Sequence, residues 1–186
     1  RTLANIIVQN AGPFTASSIA ATETSGIASN DGTICTGAAV TLTAGSTGGG
    51  GGLSYDWKVG GTTVSTAASF AITPALTATT TYDLTISDAC GQSTTVSRTI
   101  TVNSLPTVSI SSLTPAQARI CGTGSVSMTA TGASTYAWTP TTGLTPTTGS
   151  PVTASPSATT SYTVVGTDVN GCVSAPSAAQ VITVGP

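Results

Sequence analysis

The chain has no histidine, and only 5% of its 186 residues are charged, against a usual share of about 25%. Without an imidazole there is no Ser-His-Asp or Cys-His relay to activate a nucleophile, and no CxxC pair offers a metal site instead. The six carboxylates, Glu23, Asp31, Asp56, Asp83, Asp88 and Asp168, are scattered. No two sit in a repeated motif that suggests the acid and base of a glycosidase. The four cations, Arg1, Lys58, Arg98 and Arg119, form no basic stripe, which argues against nucleic acid as a partner. No apolar run reaches the roughly 18 residues of a membrane span. The glycines at 48–52 lack the Lys-Ser/Thr ending of a phosphate loop and read as a flexible tip between strands. No Asn-x-Ser/Thr acceptor is present. The expectation is a protein that is not an enzyme, with no catalytic residues and no cofactor.

What the chain does have is a repeat. Around Cys35 it runs Ile34-Cys35, Tyr55-Asp56-Trp57, Ala78-Thr79-Thr80-Thr81-Tyr82 and Asp88-Ala89-Cys90. Around Cys121 it runs Ile120-Cys121, Tyr136-Ala137-Trp138, Ala158-Thr159-Thr160-Ser161-Tyr162, then Asp168 and Cys172. The step from Tyr82 to Asp88 equals that from Tyr162 to Asp168, and the longer Cys35–Trp57 interval is accounted for by the glycine run. One small module is used twice. The predicted organisation is an extra N-terminal strand at 1–13, a first domain at 14–103 and a second at 104–186, joined near Asn103-Ser104-Leu105-Pro106. That short joint predicts modules set end to end.

Thr, Ser, Ala, Gly and Val dominate, a composition of strands and turns. Tyr82-Asp83-Leu84-Thr85-Ile86 alternates, with Tyr82, Leu84 and Ile86 on one face. Val40-Thr41-Leu42-Thr43, Val126-Ser127-Met128-Thr129, Tyr162-Thr163-Val164, 96–102 and Val181-Ile182-Thr183-Val184 follow the same period of two, and no window shows a helical period. The short Pro115-Ala116-Gln117-Ala118-Arg119 tolerates a helix or a turn. Asn170-Gly171 predicts a hairpin tip, and Ala89-Cys90-Gly91 a shorter, different one. About seven strands per module predict an all-β fold of two tandem immunoglobulin-like sandwiches.

Four cysteines allow three connectivities and point to an oxidising compartment. The repeat selects Cys35–Cys90 and Cys121–Cys172, one bridge per module. Each would close about 50 residues, worth roughly 3–4 kcal/mol in the chain-entropy account. Trp57 and Trp138 read as core plugs, the sharper alternative being a platform on which a sugar stacks. Asn30-Asp31-Gly32 reads as a turn, with calcium as the alternative, and Asp88 and Asp168 read as hairpin caps with the same alternative. Leu3, Ile6, Ile7 and Val8 form an apolar strand with no place in either module, a candidate for self-association by strand addition. The chain starts inside this strand-like segment, which reads as a mature or excised portion of a longer precursor.

Thr22-Glu23-Thr24-Ser25-Gly26 with Asn30-Asp31-Gly32-Thr33-Ile34-Cys35 resembles the PKD-type, immunoglobulin-like repeats of very large secreted surface proteins of Bacteroidota. So do Tyr136-Ala137-Trp138-Thr139-Pro140, Gly143-Leu144, Val152-Thr153-Ala154-Ser155-Pro156 and Ala158-Thr159-Thr160-Ser161-Tyr162-Thr163-Val164. Gliding adhesins and other type IX secretion cargo are of this kind. The resemblance covers nearly everything after residue 14. It implies an extracellular, cell-surface location and a role as spacer, stalk, adhesin or fibre.

Two functional expectations follow. The first is a structural subunit of an extracellular filament, stalk or sheath, with copies of itself as partners. The alternative is a spacer or adhesin repeat of a giant surface protein, with surface glycans as partners through the loops at 48–52 and 141–150.

Overall fold

A computed structural model describes residues 15–47 and 52–185. No helix occurs among them. The chain divides into two compact units, Arg1–Asn103 and Ser104–Pro186, and each is an immunoglobulin-like β-sandwich.

The first unit contains β1 (Thr15–Thr22), β2 (Thr33–Cys35), β3 (Thr41–Thr47), β4 (Ser54–Val59), β5 (Thr62–Ser65), β6 (Ser69–Ala71), β7 (Thr80–Ser87) and β8 (Ser93–Asn103). One sheet has the order β1-β3-β6 and the other β2-β8-β7-β4-β5. Because side chains alternate along a strand, β7 turns Tyr82, Leu84 and Ile86 inward and Asp83 and Thr85 toward its other face. These three join Ile34, Trp57 and Ile100 of the same sheet, and Ile19, Ala21 and Leu42 of the other, in one apolar core.

The second unit contains β9 (Ser109–Thr114), β10 (Arg119–Cys121), β11 (Val126–Thr131), β12 (Thr135–Thr139), β13 (Leu144–Thr145), β14 (Val152–Ala154), β15 (Thr160–Thr167) and β16 (Gln180–Gly185). Its sheets are β13-β14-β11-β9 and β10-β16-β15-β12. Val126, Met128, Trp138, Val152, Tyr162, Val164 and Ile182 fill the space between them.

The last strands differ. β8 is 11 residues long and pairs with the whole of β7 through Ser93 to Ile100, whereas β16 pairs only with Thr160, Ser161 and Tyr162 of β15. Pro176 stands where the strand would continue and has no N–H to give to a ladder. Two serines fill in: Val164 N donates to Ser177 Oγ (3.1 Å) and Gly166 N to Ser174 Oγ (3.0 Å). Both serines are buried.

Among the described residues each unit has eight strands where the sequence pattern predicts about seven. The additional strand is the three-residue segment ending in the first cysteine of each module. It does not belong to the following strand but pairs in parallel with the last strand, Cys35 opposite Asn103 and Cys121 opposite Gly185.

This register overturns both expected disulfides. Cys35 lies beside the downstream end of β8, while Cys90 lies in the turn that precedes its upstream end, Ser93. Ten strand residues separate Ser93 from Asn103, about 33 Å at 3.3 Å per residue. A disulfide needs Cα atoms within about 7 Å. In the second unit Cys121 lies past the Thr160 end of β15 and Cys172 past the Thr167 end, about 23 Å apart along the strand. Accordingly Cys121 is a free thiol, while Cys35 and Cys172 are disulfide-bonded.

The hairpin tips also depart from expectation. Asp88 N donates to Gln92 O (2.9 Å) and Gly91 N to Asp88 O (3.2 Å); Asp168 N donates to Cys172 O (3.0 Å) and Gly171 N to Asp168 O (3.2 Å). The two turns have equal length and the same bonds. Cys90 is therefore the counterpart of Asn170, and Cys172 that of Gln92. The segment 115–119 is a bend that runs into β10, not a helix.

Candidate functional site

Both tryptophans are inside. Trp57 is fully buried, its Nε1 donates to Ala67 O (2.8 Å), and its ring meets Phe70 edge-on at 5.2 Å. Trp138 is buried, with Nε1 donating to Gly149 O (2.8 Å). A buried indole satisfies its one donor internally, so neither ring offers a stacking platform for a sugar.

The carboxylates act on the backbone. Asp88 Oδ1 accepts from Cys90 N and Gln92 N, both at 2.9 Å. Asp168 Oδ1 accepts from Asn170 N (2.8 Å) and Cys172 N (2.9 Å). Asp31 Oδ1 accepts from Thr33 N (2.6 Å), and Arg98 Nη2 donates to Asp31 O (2.7 Å). These are turn-closing contacts in which Asp substitutes for a backbone acceptor. Asp31, Asp88 and Asp168, the calcium candidates, are not brought together, and no group of three or more His, Cys, Asp or Glu that could hold a metal occurs among the described residues.

Glu23 is the residue that the sequence pattern does not single out. It is buried, and its Oε1 accepts from Asp31 N (2.9 Å) and Gly32 N (3.4 Å), while Asn30 Oδ1 accepts from Glu23 N (3.2 Å). Asn30 sits at φ 65°, a left-handed conformation that Asn tolerates better than most residues. Glu23 thus shapes the loop that delivers the chain into β2. Only its place seven to nine residues ahead of a turn could have signalled this.

The one salt bridge among the described residues joins Lys58 to Asp56 at 3.1 Å on the surface. Asp56 is held below the ordinary carboxylate range first by the hydroxyl of Thr63 (2.7 Å) and then by Lys58. It forms part of no cluster.

The loop at 141–150 is tied to the core. Tyr162 Oη donates to Thr142 O (2.7 Å), Gly149 N donates to Tyr136 O (2.9 Å), Ser150 Oγ bonds both Ala130 N and Ala130 O (2.8 Å each), and Leu144 is buried. The glycines at 48–51 and the strand residues Leu3, Ile6, Ile7 and Val8 lie outside the described residues, as does everything else in 1–14.

A groove of about 580 Å³ opens in the first unit beside the sheet edges β5 and β6, lined by Val59, Val64, Phe70, Ile72, Pro74 and Leu76 among others. No charged side chain lines it, and its polar side chains are the hydroxyls of Ser65, Thr73, Thr77, Thr80 and Tyr82.

The two ends of each unit are chemically distinct. β1 begins opposite the end of β3, and β4 begins opposite Ser87 at the end of β7; Cys90 is in the turn at this leading end. β9 begins opposite Thr131 and β12 opposite Thr167, which puts Cys172 at the leading end of the second unit. Cys35 and Cys121 mark the trailing ends, beside Asn103 and Gly185.

Residues 20–104 match the family model described as "Ig-like domain CHU_C associated". No curated protein matches the chain. Among solved structures, the three N-terminal domains of the highly immunogenic outer capsid protein Hoc of bacteriophage RB49 are similar at 18% identity and a TM-score of 0.49, over 92% of this chain and 59% of that one. The C-terminal 282-residue fragment of intimin, solved in complex with the intimin-binding domain of its translocated receptor, is similar at 12% identity and a TM-score of 0.50, over 91% of this chain and 64% of that one. A Ca2+-stabilised, ice-binding adhesin of an Antarctic bacterium is similar at 18% identity and a TM-score of 0.41, over 93% and 50%. The chain spans about three fifths of the length of the phage and intimin fragments it resembles. At these identities the likeness is one of fold, and the family match covers residues 20–104, less than half of the chain.

Proposed function

We propose that the chain is a spacer segment of a bacterial cell-surface protein, non-enzymatic and extracellular. The observation that carries this reading is the path of the chain through each unit: it comes in at one end of a sandwich and leaves at the other, so every such module adds length. The interior supports it. Both tryptophans, Tyr82 and Tyr162 are engaged in core packing, and Asp31, Asp88 and Asp168 in turn closure. Oxidised cysteines agree with a location outside the cytosol.

A glycan array, read together with tryptophan fluorescence, tests the proposal. A spacer gives no response in either. A reproducible glycan signal would replace it with the adhesin reading. The filament reading rests on residues 3–8, and electron microscopy of the reduced chain with and without 1–13 separates it: fibres that disappear on deletion would make the protein a self-assembling subunit.

A further inference from the structure

The two units treat the same seam differently. In each, the connection after the tryptophan strand crosses to a short strand of the other sheet, β6 or β14. In the second unit this connection lays β13 along the outer side of β14, Leu144 opposite Ala154 and Thr145 opposite Thr153. Leu144, Val152 and Ala154 are all buried there. In the first unit the connection pairs with β4 instead, as β5, and β6 is left as the last strand of its sheet. Phe70 and Ile72 hold the places of Val152 and Ala154, Phe70 opposite Leu42 as Val152 is opposite Met128. The groove of about 580 Å³ opens along this unpaired edge. Tyr82 and Tyr162 mark the difference. Tyr162 Oη donates to Thr142 O (2.7 Å), in the segment that leads into β13. Tyr82 is 4% exposed and lines the groove, and its hydroxyl makes no hydrogen bond among the described residues. A buried phenol normally finds a partner. The first unit thus holds an unpaired donor where the second supplies a main-chain carbonyl.

We propose that this seam is a docking site for one extended segment of a separate polypeptide, uncharged and carrying a leucine-sized side chain. The segment adds to β6 as an antiparallel strand, as β13 does to β14. Its leucine-sized side chain lies opposite Ile72, and one of its main-chain carbonyls accepts from Tyr82 Oη. Edge addition of this kind takes its affinity from main-chain bonds and its selectivity from the side-chain pocket. Three observations choose the occupant. β13 shows the strand that fits the same frame, Tyr82 offers a donor to a carbonyl, and the lining carries no charge to meet a charged ligand. A charged side chain entering the seam would lose its hydration without compensation. The proposal goes beyond the spacer reading and does not depend on it.

The test titrates the complete 186-residue chain into a fluorescein-labelled peptide of residues 139–148, the segment that carries Leu144, and reads anisotropy. Saturation below about 1 mM is expected, with slower amide hydrogen exchange at 69–73. A peptide with Leu144→Asp should bind at least about tenfold more weakly. Tyr82→Phe keeps the ring in the core and should weaken binding about fivefold. Val64→Lys, at an exposed position on the groove wall, should weaken it at least as much. The exchange footprint on the unmutated chain stands even where a variant fails to fold. Equal affinity for the two peptides, no saturation, or a footprint away from 69–73 overturns the proposal. So does binding that appears only after residues 1–13 are deleted, which assigns the seam to Leu3–Val8 of the same chain. Protection at 69–73 that rises with chain concentration in the absence of peptide also overturns it, and assigns the seam to a second copy. The glycan array fails or succeeds independently of peptide binding, so the two readings can fall separately.

Discussion

Asp88 and Asp168 close their turns with the same pair of hydrogen bonds, each Oδ1 accepting from the second and fourth residues after its own position. Removing such an acceptor leaves two N–H groups to find water and discards two charge-assisted bonds. Asp168→Ala and Asp88→Ala are each expected to lower stability by about 2 kcal/mol, with Asn at either position retaining part of it. Urea unfolding of the four variants checks this, and equal stability for Ala and Asn would contradict the assigned role.

The tyrosines predict an alkaline limit. Burial pushes Tyr82 and Tyr162 above the ordinary value of 10.0. A raised folded value means the folded state favours the protonated phenol, so this contribution is complete below about pH 10 and is lost as pH climbs through the folded value. Tyr162→Phe removes that loss for its own site. It also leaves Thr142 O without its donor, at a cost of about 1 kcal/mol near neutrality. Melting temperatures of the wild type and Tyr162→Phe between neutral and strongly alkaline pH should converge as pH rises; parallel curves would count against the argument.

Two glycines with similar backbone angles separate strain from space. Gly132 has φ +103°, and a Cβ there would lie 1.9 Å from Thr107 O; Gly149 has φ +90° and nothing within 4 Å. Gly149→Ala should cost about 1–2 kcal/mol from its left-handed backbone alone. Gly132→Ala must also displace main chain and should cost at least about 3 kcal/mol. Thermal unfolding of both variants decides, and a Gly132→Ala no worse than Gly149→Ala would show that the 107–108 backbone yields.

The indoles give a fourth expectation. Trp57→Ala and Trp138→Ala should each destabilise the chain by about 3–5 kcal/mol, because each empties the centre of a core and strands a carbonyl. Neither intrinsic fluorescence maximum should respond to sugars, and a red-shifted folded-state spectrum would mean that the rings are wet.

How much of this was legible depends on the range of the interaction. Alternation in Tyr82, Leu84 and Ile86 announced β7 because one sheet face is wet and the other dry, a local rule. The repeat announced two modules, and the indoles read as core plugs are core plugs. Thr33–Cys35 and Arg119–Cys121 were too short to show a period, and their parallel partners are about 65 residues downstream. The repeat pairs those cysteines within their modules, but their parallel pairing with the last strand puts Cys35 and Cys121 at the end of each sandwich away from Cys90 and Cys172. Glu23 was equally invisible, since a buried carboxylate in a Thr/Ser stretch differs from a solvated one only through the N–H groups brought to it.

The short parallel strands have a mechanical consequence. Tension carried through the first unit pulls Asn103 away from the leading end, so β8 is dragged lengthwise past β2. Bonds between parallel neighbours loaded along their length are strained together, whereas a hairpin pulled from its open end surrenders them one at a time. Three residues at Thr33–Cys35, and three at Arg119–Cys121, therefore act as latches against extension, placed where the pulled strand leaves the fold.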